Sequence, residues 1–167
     1  NRYLIPNRTS KKLNMVGAVK LFFKNYFNFT GRSSRSEYWW FLLAYLIVKA
    51  VIAILEGLII GIDYAGSGLA SNVYFLALMI GLLSLNARRL QDRGHTGWWQ
   101  FVYLIPIIPL IYFGILFLFT ENSAHAISAG LVVMLEIGIL ITLIIILCLP
   151  PKEDENKWGK NPLLEDY

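Results

Sequence analysis

Charge is what this 167-residue chain has least of: Asp, Glu, Lys and Arg make up 16% of it, where an ordinary soluble domain carries about 25%. Hydrophobic residues reach 56% and the mean hydropathy is +0.54, a combination that excludes a disordered chain and a water-soluble domain. A single cysteine, Cys148, excludes an intrachain disulfide, and its place at the end of an apolar run reads as a buried or interfacial thiol. The two histidines, His95 and His125, fall on opposite sides of the expected membrane and cannot share a metal. Isolated acids make a poor oxygen cage, so no metal and no cofactor are expected. No phosphate-cradling Gly-x-x-x-x-Gly-Lys, Gly-x-Ser-x-Gly elbow or His-Glu-x-x-His is present, and no catalytic residue is assigned. The net charge of +4 would suit nucleic acid in a soluble protein, but here the basic residues flank apolar runs and report orientation instead. No nucleic-acid partner is expected.

What the chain does have is four long apolar runs, at 38–62, 70–90, 98–119 and 127–149, each near the ~20 residues needed to cross a hydrocarbon core. Unpaired backbone amides are too costly in lipid for such runs to be anything but helices, whatever the β-branched content of the last one. Short connections make neighbouring helices antiparallel. The expected fold is all-α: a polytopic membrane protein with four transmembrane helices in an antiparallel bundle, preceded by an amphipathic interfacial helix. The divisions are a polar N-terminal tail (1–14), the interfacial helix (15–30), the four-helix transmembrane domain (31–149) and a C-terminal tail (150–167).

The interfacial helix rests on Met15, Val16, Val19, Phe22, Phe23, Tyr26 and Phe27, which recur at helical spacing with Lys20 and Lys24 between them. Lying in the headgroup layer and packing under the bundle as a cap are both compatible with that pattern. After it, Ser34 and Glu37 have the form of a capping box opening the first span, and Trp39 and Trp40 sit where an aromatic belt belongs.

Sidedness follows from the cations. Arg2, Arg8, Lys11, Lys12, Lys20, Lys24, Arg32 and Arg35 precede the first span, Arg88, Arg89 and Arg93 lie between the second and third, and Lys152, Lys157 and Lys160 follow the fourth. The other two loops contain neither Lys nor Arg; their charges are Asp63 and Glu121. Both termini and the central loop are therefore expected in the cytoplasm. With no signal peptide read in the first fifteen residues, the first span is expected to act as its own targeting signal. The glycosylation patterns at Asn7 and Asn28 fall on the cytoplasmic side and should go unmodified.

Three segments then read together: Phe29-Thr30-Gly31-Arg32-Ser33-Ser34-Arg35-Ser36-Glu37-Tyr38-Trp39-Trp40, Arg88-Arg89-Leu90-Gln91-Asp92-Arg93-Gly94-His95-Thr96-Gly97-Trp98-Trp99, and Asn156-Lys157-Trp158-Gly159-Lys160-Asn161-Pro162. In order and spacing the chain resembles the small bacterial inner-membrane proteins grouped as domain-of-unknown-function family number 805, from about Phe22 to Pro162. The resemblance implies a multi-pass protein of the bacterial inner membrane and carries no activity with it. The family pattern usually has His where Gln91 stands, so any proton-carrying or metal-binding use of that position is closed to this chain. It also often has Gly just after the proline of the third span, where Ile107, Ile108 and Pro109 stand here.

Chemistry concentrates in the central loop. Arg88, Arg89 and Arg93, with Arg32 and Arg35 nearby, could clamp a lipid phosphate or another anion, while Asp92 orients one guanidinium. The plainer reading is that these arginines offset a helix dipole and set orientation, that Asp92 bridges to Arg32 or Arg35, and that Gly94 and Gly97 permit a tight reversal. On either reading the three segments should touch. Within the spans, Lys49 and Glu136 lie at depths of about 16 Å and about 20 Å from the basic ends of spans one and four, which predicts an ion pair. Glu56 is left as an intramembrane carboxylate without a partner, to be protonated, to reach the outer interface, or to line a wet path. Pro106 and Pro109 should kink or break the third span, and Gly57 and Gly61 form a Gly-x-x-x-Gly suited to close helix contact, with Gly130 and Gly138 in the fourth span.

The function expected from these features is that of a non-enzymatic integral membrane protein, an accessory or scaffold subunit. Its partners would be membrane lipids with anionic headgroups and other membrane subunits or further copies of itself. A small oligomeric transporter or channel protomer using Lys49, Glu56 and Glu136 is the alternative. A lipid-headgroup-modifying enzyme built on Arg88, Arg89, Asp92 and His95 is the third.

Overall fold

A computed structural model describes residues 13–120 and 123–163. Most of the N-terminal tail with Arg2, Arg8, Lys11 and Lys12, together with Glu121 and residues 164–167, lies outside the described residues, as does the Asn7 pattern. The chain runs through five helices, α1 (Met15–Lys24), α2 (Arg35–Ile59), α3 (Leu69–Asp92), α4 (Ile107–Thr120) and α5 (Ser123–Cys148), and ends in a small antiparallel hairpin, β1 (Glu155–Asn156) and β2 (Gly159–Lys160). Two 3₁₀ segments, Ile62–Tyr64 and Gly97–Leu104, complete it. Among the described residues four helical stretches are long and apolar enough to cross a membrane: Arg35–Ile59, Ile62–Asp92, Gly97–Phe119 and Ala124–Cys148. The all-α, four-span reading therefore stands.

The helices pair as two hairpins. α2 packs against α3 with α1 laid across them, α4 packs along α5, and the Gly97–Leu104 segment joins the pairs by lying on α3. The buried core is displaced to the basic-flanked end, where Ala18, Phe22, Tyr38, Phe41, Tyr45 and Leu85 form one cluster that Leu147 of α5 reaches. Toward the other end the helices present apolar surface outward, and none of the most apolar stretch of α5 is buried in the chain, as lipid solvation allows.

Helix α1 starts at Asn14, whose side chain accepts from the Gly17 amide at 2.8 Å, and ends earlier than the pattern to residue 30 suggested. Its two apolar edges do different things. Ala18 and Phe22 are fully buried, with the Phe22 ring stacked 3.6 Å from that of Phe41, whereas Val16, Phe23 and Phe27 stay exposed. The close seat on α3 requires Gly81, because a Cβ there would lie 2.3 Å from Cζ of Phe22. Tyr26, just beyond α1, donates its hydroxyl to the Ala77 carbonyl.

The third span, over 98–119, is interrupted at the prolines expected to kink or break it. Its first part, Gly97–Leu104, is 3₁₀, and the α-helix begins only at Ile107. The reason is the missing donors. An α-helix through this region needs amides at 106 and 109, which proline lacks, so the Ile105 amide turns to the Val102 carbonyl at 3.2 Å. Pro106 and Pro109 instead fall at the opening of α4, where amides have no intrahelical acceptor in any case.

Gly61 also corrects an expectation. It lies past the end of α2 with φ of +130°, so Gly57 and Gly61 do not form a helical contact stripe; Gly57 packs against Ala65 of the following turn.

Candidate functional site

The three recognisable segments converge at the basic-flanked end. Ser34 caps α2, its side chain accepting from the Glu37 amide at 3.1 Å. Glu37 does not reach back to complete the box. Its carboxylate instead accepts from Nη1 of Arg88, one turn before the end of α3, at 2.8 Å. Both side chains are about 3% exposed.

Asp92, the last residue of α3, is the centre of the arrangement. One carboxylate oxygen accepts from Nε of Arg32 at 2.8 Å and the other from Nη1 of Arg89 at 2.5 Å. Asp92 is 1% exposed and Arg89 fully buried. Each guanidinium then continues to backbone carbonyls. Arg89 donates to Leu147 at 2.9 Å, to Ser33 at 3.3 Å and to Leu149, thereby closing the carbonyl end of α5. Arg32 donates to Glu153 at 2.9 Å and to Gly159 at 3.2 Å, which holds the β1–β2 hairpin. Arg93 donates to Pro150 at 2.5 Å. Gln91 donates its amide to the Phe29 carbonyl at 2.9 Å, while its main-chain carbonyl accepts from Asn156 at 2.9 Å. Three segments far apart in sequence, and the end of α5, are thus riveted into one buried ionic plate.

This geometry sorts the anion-binding candidates. Arg32 and Arg89 are buried and bonded to protein acceptors through all three of their nitrogens, which leaves no exposed fork for a phosphate. Arg88 is 2% exposed, and its Nε and Nη2 have no partner. Arg35 is exposed on α2, and Arg93 is half-buried beside His95. The five arginines therefore do not share one anion-facing surface. Breaking a buried pair by removing one partner leaves an uncompensated charge, whereas the intact pair adds little stability of its own, so what the plate supplies is a fixed register between helices.

The intramembrane residues are placed differently from their expected roles. The ion pairs among the described residues are Arg32–Asp92, Arg88–Glu37 and Arg89–Asp92; the Lys49–Glu136 pair is not formed. Matched depth did not bring the two together because α2 pairs with α3 and α4 with α5. One carboxylate oxygen of Glu136 is shielded without a hydrogen-bond partner. Glu56, by contrast, is not left over. Its carboxylate accepts from the Ser71 amide at 2.9 Å and from the Ser71 hydroxyl at 2.5 Å. It does for the start of α3 what the N-cap residue, Gly68, has no side chain to do. A Cβ at Gly68 would lie 2.5 Å from the carboxylate, so the glycine makes room for this cap from another helix. Among the described residues no group of three His, Cys, Asp or Glu could hold a metal ion.

Sequence reading missed that the main acceptors of Arg32, Arg89 and Arg93 are backbone carbonyls of residues 147–159. Carbonyls have no residue type, so the only available signal was that Asn156-Lys157-Trp158-Gly159 resembled the family at all.

Four apolar membrane-crossing helices tied at one end by buried arginines define a multi-pass membrane protein built around a structural, not a solvent-facing, charge cluster. The chain belongs to the family described as "Protein of unknown function (DUF805)", which it matches over residues 26–160. It is similar to inner membrane protein YhaI of Escherichia coli K12, 36% identical over 101 residues that cover 60% of this chain and 81% of that protein. It is also similar to inner membrane protein YhaH of the same organism, 33% identical over 85 residues, 51% of this chain and 70% of that protein. No solved structure matches it.

Proposed function

We propose that this chain is a non-enzymatic subunit of a membrane assembly, in an accessory or scaffold role, with both termini in the cytoplasm and with lipids and neighbouring membrane chains as its partners. The observation that carries this reading is the pair of ionisable residues inside the spans, Lys49 and Glu136, that take no ion-pair partner among the described residues. A charge at mid-bilayer costs about 2.5–3.5 kcal/mol on insertion scales and persists where something pairs or hydrates it. A neighbouring chain supplies that pairing. Gly130 and Gly138 support the same reading, since beyond the adjoining backbone of α5 no atom of the described residues lies within 4 Å of where a Cβ would be, which leaves close-approach positions open on α5.

The enzyme reading has less support. Asp92 has both oxygens taken by guanidiniums and is buried, and His95 lies outside the plate, so no free acid–base pair faces a headgroup. The transporter reading needs a row of titratable stepping stones, and Glu56 is already engaged with Ser71.

The test is extraction from native membranes in mild detergent. The wild-type chain should migrate as part of a complex clearly larger than its 19.0 kDa protomer. The Lys49→Gln/Glu136→Gln double variant, which removes both charges and inserts more readily, should release the protomer. Masses of the co-purifying chains distinguish a hetero-complex from a homo-oligomer. A wild-type chain that runs alone, or a double variant that keeps the complex intact, would overturn the reading.

A further inference from the structure

Beside the buried plate, and sharing Arg93 and Asn156 with it, the same end of the molecule carries a second, open cluster. Arg93 and His95 on one side and Lys152, Lys157 and Trp158 on the other line a cleft of about 440 Å³, with Glu153 as its only carboxylate among the described residues. Its walls are fixed. Asn156 ties the hairpin to the Gln91 carbonyl, Arg32 holds the Glu153 carbonyl, and Arg93 is anchored through Nη1 to Pro150. Among the described residues Nη2 of Arg93 has no acceptor, and Lys152 and Lys157 are exposed. The Lys157 ammonium rests 4.3 Å from the centroid of the Trp158 ring, an arrangement that orders a long side chain without neutralising it.

Arg93, Lys152 and Lys157 therefore face one carboxylate in a preformed concavity. The position is as informative as the charge. Trp98 and Trp99 follow His95 and are exposed, α5 ends at Cys148 just before Lys152, and both features mark the boundary between hydrocarbon and water. We propose that this cleft binds a phosphate group at the membrane surface, through the free arm of Arg93 and the ammonium groups of Lys152 and Lys157. This inference stands apart from the assembly reading, since it uses none of the intramembrane residues.

Two sources present that chemistry, a phospholipid headgroup and free phosphate, and the experiment separates them. Purified wild-type protein is compared with Lys152→Gln/Lys157→Gln and with a control, Lys20→Gln/Lys24→Gln, which removes the same charge from α1. Binding of phosphatidylglycerol against phosphatidylcholine is read by native mass spectrometry, and binding of inorganic phosphate by calorimetry. Two ammonium groups in direct contact with a bound phosphate are together worth roughly a 100-fold change in affinity, a contact the α1 lysines do not make. The cleft variant should lose about that factor toward phosphatidylglycerol while the control loses much less. The same selective loss seen for inorganic phosphate alone would keep the phosphate site and assign it a soluble ligand. Equal losses in both variants, or none in the cleft variant, would overturn the proposal.

Discussion

Replacing Asp92 by Ala should cost about 3–5 kcal/mol of folding stability, the range found when one partner of a buried ion pair is removed. The size follows from what stays behind. Arg32 and Arg89 have side chains no more than 1% exposed, and without the carboxylate two guanidiniums would face one another across a site closed to water. Their remaining bonds run to neutral carbonyls of the α5 end and the hairpin, which solvate charge but do not cancel it. Asp92→Asn should fall between wild type and Ala, because the amide keeps the shape and one acceptor oxygen while giving up the charge. Equilibrium unfolding in mixed micelles measures both. A change below about 0.5 kcal/mol for the alanine variant, the scale of ordinary surface substitutions, would show that Asp92 is not buried and paired as described.

Glu37→Ala should be nearly as damaging, again by about 3–5 kcal/mol, since Arg88 is 2% exposed and two of its nitrogens already lack partners. Unlike Arg32 and Arg89, Arg88 has no further acceptor in the plate, so removing both charges together removes the problem. The Glu37→Leu/Arg88→Met pair, which fills the space with apolar groups, should recover most of the stability lost in Glu37→Ala. The same unfolding measurement decides the matter. A double variant as unstable as the single one would mean that the arginine is needed for contacts other than its carboxylate.

Membrane helices were legible in the sequence because lipid leaves few choices: length, apolarity and the cost of unpaired amides fix helix and span together. That Asp92 bridges to an arginine before the first span was legible, but the sequence left Arg32 and Arg35 both open, and the structure pairs it with Arg32. Helix rise gave the depths of Lys49 and Glu136 but carried no information about which helices are neighbours, and the pairing failed on that point. Glu56 shows the converse. Counted along α2 it had no partner, yet Ser71 lies one turn across from it because the short turn brings the start of α3 back beside the end of α2. Pro106 and Pro109 made an interruption of span three legible, but proline signals a kink or break without saying which geometry precedes it; the 3₁₀ segment answers that through its hydrogen bonds. The hairpin's carbonyls, finally, belong to the backbone and leave no mark on composition.

A double-mutant cycle on Arg32 and Asp92 tests most directly whether the buried plate locks remote segments together. Each residue is changed to Ala alone and in combination, and the unfolding free energies are compared. Sixty positions separate the two in sequence, so any coupling reports the folded contact. The lock predicts strong non-additivity, a coupling of about 1–3 kcal/mol. Losses that simply add, within about 0.3–0.5 kcal/mol, would contradict it.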